Sequence, residues 1–330
     1  MVHTVLGPIA AEEMGVTLAH EHVACFSHSM KQTFGERWFK TDELISAAVK
    51  LLLKARDRGL GTFIDGTPNN LGRDIRILRE VSGRSGVNIV ASSGMYYSES
   101  AFLENKAPEF FADFFIYECV HGMAGTDSLP GILKCATGAQ GFTPNNITLL
   151  KTMGLVQKAT GLPLFAHNTH ALKTGLRQLD ILEQSGADLS RVIVGHCSDT
   201  CDLPYLESLL ARGCYLGFDR LRPNADGNRA QAETICALIR RGWLERLLLS
   251  HDYCVFLDFR NNSWADTKAQ GFDDLPLDFT YIQRCFLTAL RGMGVTELQI
   301  KRMTSLNPAS IFEPQHERSA EVFVRNLNGV

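Results

Sequence analysis

The chain has 330 residues, 45% of them hydrophobic and 21% charged, with 33 Lys and Arg against 36 Asp and Glu for a net charge of −3. Apolar material is ample for a core, which excludes a disordered chain, and the absence of a basic cluster argues against nucleic acid as a partner. No apolar run approaches the ~20 residues that span a bilayer, and the opening MVHTVLGPIAAEEMG lacks the charged and apolar regions of a signal peptide, so no membrane association and a cytoplasmic location are expected.

Taken in chain order, short β-favouring runs alternate with longer segments of helical period. Strands are expected at 16–20, 62–65, 88–93, 131–136, 162–167, 191–196, 214–219 and 246–252. Between them lie helical stretches at 41–59, 72–86, 108–123, 145–161, 172–186, 203–213 and 228–242. The first opens on Thr41 or Asp42 as a cap, and several close on glycine, as helices that hand over to a strand often do. Eight strands alternating with helices predict an α/β protein of the (β/α)8 TIM-barrel class, one domain over residues 1–330. An open doubly wound sheet is the rival, but the first strand runs into AHEHVACFSH, which has no glycine-rich phosphate fingerprint. The nine cysteines are an odd number without C-x-x-C spacing, which suits buried reduced thiols. Cys197 and Cys201 flank HCSDTC closely enough to reach one metal, although the neighbouring His and Asp explain that stretch better.

In such a barrel the chemistry sits at the C-terminal ends of the strands. His20 and His22 close the first strand, Lys134 lies in the fourth, His167 closes the fifth, His196 the sixth and Asp252 the eighth, each a whole number of βα units from the last. Alternate residues on a strand share a face, so His20 and His22 project together. Four imidazoles and a carboxylate are the usual ligands of zinc and similar divalent ions. Lys134 is an ammonium in an apolar strand, where an unpaired charge is costly. Pairing with a carboxylate is one explanation. The other is an amine deprotonated by desolvation and carbamylated by carbon dioxide, whose two anionic oxygens can bridge two metal ions.

TLAHEH, GRDI, ILKCATG, FAHNTH, VGHCSDT, LGFDR and LSHDY follow in the order and spacing of the phosphotriesterase family of the amidohydrolase superfamily, which the sequence resembles along nearly its whole length. The resemblance implies a binuclear centre. One metal is held by His20, His22 and Asp252, the other by His167 and His196, and carbamylated Lys134 and a hydroxide bridge both. It implies zinc, with cobalt, manganese or iron as alternatives, Asp252 as proton acceptor, and a homodimer.

Within the family three features resemble the lactonases more than the triesterases. Arg220 stands where triesterases usually carry histidine, with Asp199 as its partner; the segment between Arg220 and Asp252 is short; and Tyr96 matches a tyrosine that contacts the ring ester. Val255, Phe256, Leu257 and Trp264, with Phe259 and Phe272, fall in a segment expected to be a loop lining the mouth for an acyl chain. The expected activity is hydrolysis of lactones, N-acyl homoserine lactones among them, with promiscuous phosphotriesterase activity. The alternatives are a dedicated organophosphate triesterase, another carboxyl-ester or amide hydrolase of the superfamily, and a non-catalytic metal-binding protein.

Overall fold

The computed structural model describes residues 1–98, 101–223, 226, 228–258 and 278–313. Its main sheet is all parallel, built from β1 (Val16–Cys25), β2 (Leu60–Asp65), β3 (Asn88–Gly94), β4 (Ile132–Ala136), β5 (Leu164–His167), β6 (Val192–Val194), β7 (Tyr215–Phe218), β8 (Leu247–Leu249) and β9 (Cys254–Leu257). Each strand pairs with the next in sequence from β1 to β8, and β9 returns to pair with β1. Since β8 and β9 are separated by four residues only, they are the two halves of an eighth barrel strand: the Asp252 amide donates to the His20 carbonyl (3.1 Å) and the His22 amide to the Tyr253 carbonyl (2.9 Å), which closes the cylinder. The (β/α)8 expectation agrees with this architecture.

Two differences from expectation have local causes. The eighth strand is broken at Asp252, whose φ of 51° is left-handed and takes the chain out of the ladder. Beyond the break, 254–257 is strand rather than loop: Val255 and Phe256 are buried in the core, Phe256 packing on Phe39 with ring centroids 4.6 Å apart, and Leu257 is half-buried. Trp264, Phe259 and Phe272 lie outside the described residues. A short hairpin, Val2–Thr4 against Gly7–Ile9, also precedes the barrel, its strands too brief to show a period.

The two-residue repeat of the strands divides the core. Outward-facing residues such as Leu133, Cys135, Leu164, Ala166, Val192, and Val194 join the large cluster beneath the helices. The alternate positions Val90, Ile132, Phe165, Ile193 and Leu248 form a second cluster inside the cylinder, closed by Val2, Met14, Ile311 and Phe312. Two residues further along, the same inner face carries Ser92, Lys134, His167, Gly195 and Ser250. An apolar plug therefore underlies a polar layer at the strands' C-terminal ends. Among the described residues no helix is long and apolar enough to cross a membrane, and all nine cysteines are free thiols.

Candidate metal centre

The polar layer brings His20, His22, Lys134, His167, His196 and Asp252 together. His20, Lys134 and His196 are almost wholly buried, and His22 and His167 nearly so. Lys134 Nζ lies 2.6 Å from His20 Nε2 and 4.1 Å from the centre of the Phe165 ring. His22 Nε2 is 3.2 Å from Asp252 Oδ1, and His196 Nε2 is 2.6 Å from His167 Nδ1. Among the described residues two groups have donor atoms close enough to share an ion: His20, His22 and Asp252, and His20, His196 and Asp219.

The far side of each ring decides which nitrogen is free. His20 Nδ1 is 2.8 Å from Asp219 Oδ2 and His196 Nδ1 is 3.1 Å from Asp219 Oδ1, so one carboxylate accepts a hydrogen bond from each ring. His22 Nδ1 donates to Thr67 Oγ1 (2.8 Å), whose hydroxyl passes on to the Ala24 carbonyl. In each ring Nε2 is the nitrogen turned towards the centre, the one left for a metal once Nδ1 is engaged on the far side. Asp219 belongs behind the imidazoles as their orienting acceptor rather than beside them as a ligand.

Backbone conformation aims the last two residues. By strict alternation His196, one past Gly195, points out of the cylinder. A left-handed φ of 61° turns it back, with its amide donating to Asp219 Oδ1 at 2.7 Å. Asp252 is likewise left-handed, and such conformations in non-glycine residues cluster where surrounding contacts over-determine them. Gly66 keeps the centre open. A Cβ there would lie 2.6 Å from His20 Nε2 and 3.3 Å from Lys134 Nζ.

Charge states follow from burial and neighbours. Burial, and then the Lys134 charge, pushes His20 down to about 3; burial with His196 and Lys134 holds His167 well below its ordinary value. Burial brings Lys134 down to about 8, against the opposing pull of Asp252 and Asp219. For Asp252 burial works the other way, yet the His22 hydrogen bond and the nearby imidazole charges keep it well below the usual carboxylate range. Burial opposes a charge on His22 too, but Cys25 and Asp252 outweigh it and push that ring up to about 10, so a cation would have to displace its proton. Imidazoles, an ionised carboxylate and an amine close to losing its proton are a donor set that fits divalent cations.

Arg220 joins this centre to its rim: Nε donates to Asp252 Oδ2 (2.9 Å) and Nη1 to the exposed Asp199. Tyr96 stacks edge-on against His167 at 5.1 Å. It also forms part of the wall of an open cleft of ≈ 820 Å³ with Phe26, Met95, Tyr97, Phe102 and Phe115. Val255, Phe256 and Leu257 do not line that cleft.

Three supporting residues escaped the sequence reading. Asp219 stood in LGFDR without a role, although a carboxylate at a strand end beside Arg220 was a visible signal. Glu21, fully buried between His20 and His22, accepts from Ser250 Oγ, the amides of His251 and Tyr253, and His251 Nδ1. Because His251 Nε2 accepts from the Ile282 amide, its proton is on Nδ1, and His251 is a packing residue that supports Glu21. Thr67 could be found only from the fold.

A model of the phosphotriesterase family matches residues 1–312. Over 328 residues the chain is 34% identical to a phosphotriesterase homology protein of Mycobacterium tuberculosis, covering 95% of this chain and 98% of that protein. Over 313 residues it is 30% identical to an aryldialkylphosphatase of Saccharolobus solfataricus, covering 92% and 96%. The solved structure of the phosphotriesterase from Mycobacterium tuberculosis matches with a TM-score of 0.86 at 34% identity, covering 94% of this chain and 98% of that one.

Proposed function

Because the chain belongs to the phosphotriesterase family and is one of its metal-dependent hydrolases, we propose that it opens lactones, N-acyl homoserine lactones among them, and cleaves phosphotriesters as a side activity. His20, His22 and Asp252 would hold one divalent cation and His167 and His196 a second, with Lys134, carbamylated at Nζ, shared between them. Two such ions, zinc first and cobalt, manganese or iron after it, supply Lewis acidity and bring the pKa of water towards neutrality.

The remaining work falls to the chain itself. Asp219 and Thr67 engage the three Nδ1 atoms and so aim the Nε2 atoms at the centre. Asp252, kept ionised, is the group able to take up a proton and deliver it to the leaving alkoxide. Arg220 and Asp199 restrain its carboxylate from the solvent side. Tyr96 orients the ring ester against His167.

The observation that carries the lactone reading is the position of Tyr96, in contact with His167 on one side and forming the wall of the aromatic cleft on the other. A substrate with its ester at the strand ends can run an apolar acyl chain past Tyr96 into that cleft. The aryldialkylphosphatase relative favours a dedicated triesterase as the second reading. The test is a comparison of kcat/KM on an acyl-length series of lactones and on an aryl dialkyl phosphate with zinc-loaded protein. Lactone rates that exceed the phosphotriester rate and rise with acyl length support the reading; the reverse order favours the triesterase.

A homodimer is part of the same proposal. Its support is the helix Pro108–His121, which leaves Phe114 and Tyr117 60% and 62% exposed on an apolar surface. Light scattering of the full chain measures the mass.

A further inference from the structure

The break between β8 and β9 leaves carbonyl groups to be satisfied without a strand partner. On one side of it Leu221 donates its amide to the Ser250 carbonyl (3.2 Å), and on the other His22 donates to the Tyr253 carbonyl (2.9 Å). The carbonyls of His251 and Asp252 lie between, where the chain is passing from one neighbour to the other. Both are taken by a single side chain. Arg222 Nε donates to His251 O at 2.8 Å, and Arg222 Nη2 donates to Asp252 O. The same Nη2 is 3.4 Å from Asp252 Oδ2. Arg222 is itself tethered, its carbonyl accepting from Asn228 Nδ2 at 2.6 Å.

We propose that Arg222 is a positioning residue that locks the left-handed backbone of Asp252 and thereby aims its carboxylate into the metal centre. The inference rests on the reading of Asp252 as a metal ligand. Arg220 and His22 hold that carboxylate by its side-chain oxygens, but neither touches the peptide unit that sets where the side chain starts. Arg222 does, with two donors of one planar fork on consecutive carbonyls. That geometry distinguishes arginine from lysine, whose ammonium is a point charge on a flexible stem. A left-handed non-glycine residue persists only where its surroundings over-determine it, and among the described residues this guanidinium is the side-chain group that bonds the Asp252 carbonyl.

The test compares wild type, Arg222→Ala and Arg222→Lys by three readouts: zinc affinity in competition with a chromophoric chelator, kcat and KM on a lactone, and rescue of Arg222→Ala by millimolar guanidinium. Loss of an outer support typically costs about 10- to 100-fold in metal affinity or activity. For Arg222→Ala that range is expected for the zinc that Asp252 shares with His20 and His22 and for kcat, with KM little changed, partial recovery on adding guanidinium, and Arg222→Lys in between. Wild-type affinity and kcat in Arg222→Ala overturn the proposal, as does a loss that guanidinium leaves untouched. If Arg222→Ala does not fold, Arg222→Lys decides: weakened zinc binding in a folded protein supports the proposal, and wild-type binding overturns it. Wild-type protein that binds no zinc pair sinks the functional reading instead, a separate outcome.

Discussion

Replacing Asp219 by Asn removes one charge and one acceptor at the point where two imidazoles are held. The carboxylate is fully buried and accepts from His20 Nδ1 at 2.8 Å, from the His196 amide at 2.7 Å and from His196 Nδ1 at 3.1 Å. An amide keeps one oxygen, which can serve the His196 side, and turns an NH2 towards His20 Nδ1–H, donor against donor. His20 then either leaves a buried donor unpaired or moves its proton to Nε2, where it blocks coordination. A hydrogen bond to a charged group contributes about 1.5–3 kcal/mol, so zinc affinity should fall roughly ten- to a hundredfold, the range seen for such outer partners. The assay is a chelator-competition titration of Asp219→Asn against wild type, with kcat measured at saturating zinc. Affinity and kcat within about twofold of wild type would refute the assignment of Asp219 as the orienting acceptor.

Gly66→Ala places a methyl 2.6 Å from His20 Nε2; metal analysis should show loss of bound ion, while circular dichroism stays that of a folded barrel. Arg73 bonds both oxygens of Glu118, at 3.1 and 2.6 Å, and Glu118 is held below its ordinary pKa although burial opposes this. Arg73→Ala leaves that half-buried carboxylate with Ser93 and Asn69 as its donors, and urea unfolding should show a loss of about 1.5–3 kcal/mol, the worth of a hydrogen bond to a charged group. Because the Glu118 pKa is lower folded than unfolded, its contribution is present above the unfolded value and fades as pH falls through the folded one; the variant's deficit should shrink in acid melts. At fixed dissolved carbon dioxide, reconstitution with zinc should quicken as pH rises through about 8, where Lys134 becomes a neutral amine able to react, and stopped reconstitution assays at a series of pH values check this.

Much of the centre was legible because strand alternation is simple. Ile132 and Lys134, or Phe165 and His167, are two apart, so an apolar inner position announces a polar one on the same face at the strand's end. The barrel followed from the same regularity. What alternation cannot show is a residue that breaks it. His196 reaches the centre through a left-handed turn one residue past Gly195, and Asp252 through another that splits the eighth strand. The run CVFL read as loop because a strand was expected to end at Asp252, whereas the chain resumes pairing with β1. Asp219, Thr67 and Glu21 act through rings that the fold, not the spacing, brings to them.

The central claim is that Lys134 joins two metal ions. Metal content per chain, measured by plasma mass spectrometry after reconstitution with zinc and bicarbonate, tests it in wild type and Lys134→Ala side by side. Two zinc ions in wild type and at most one in the variant are the predicted result. Two in both, or no more than one in wild type, would contradict it.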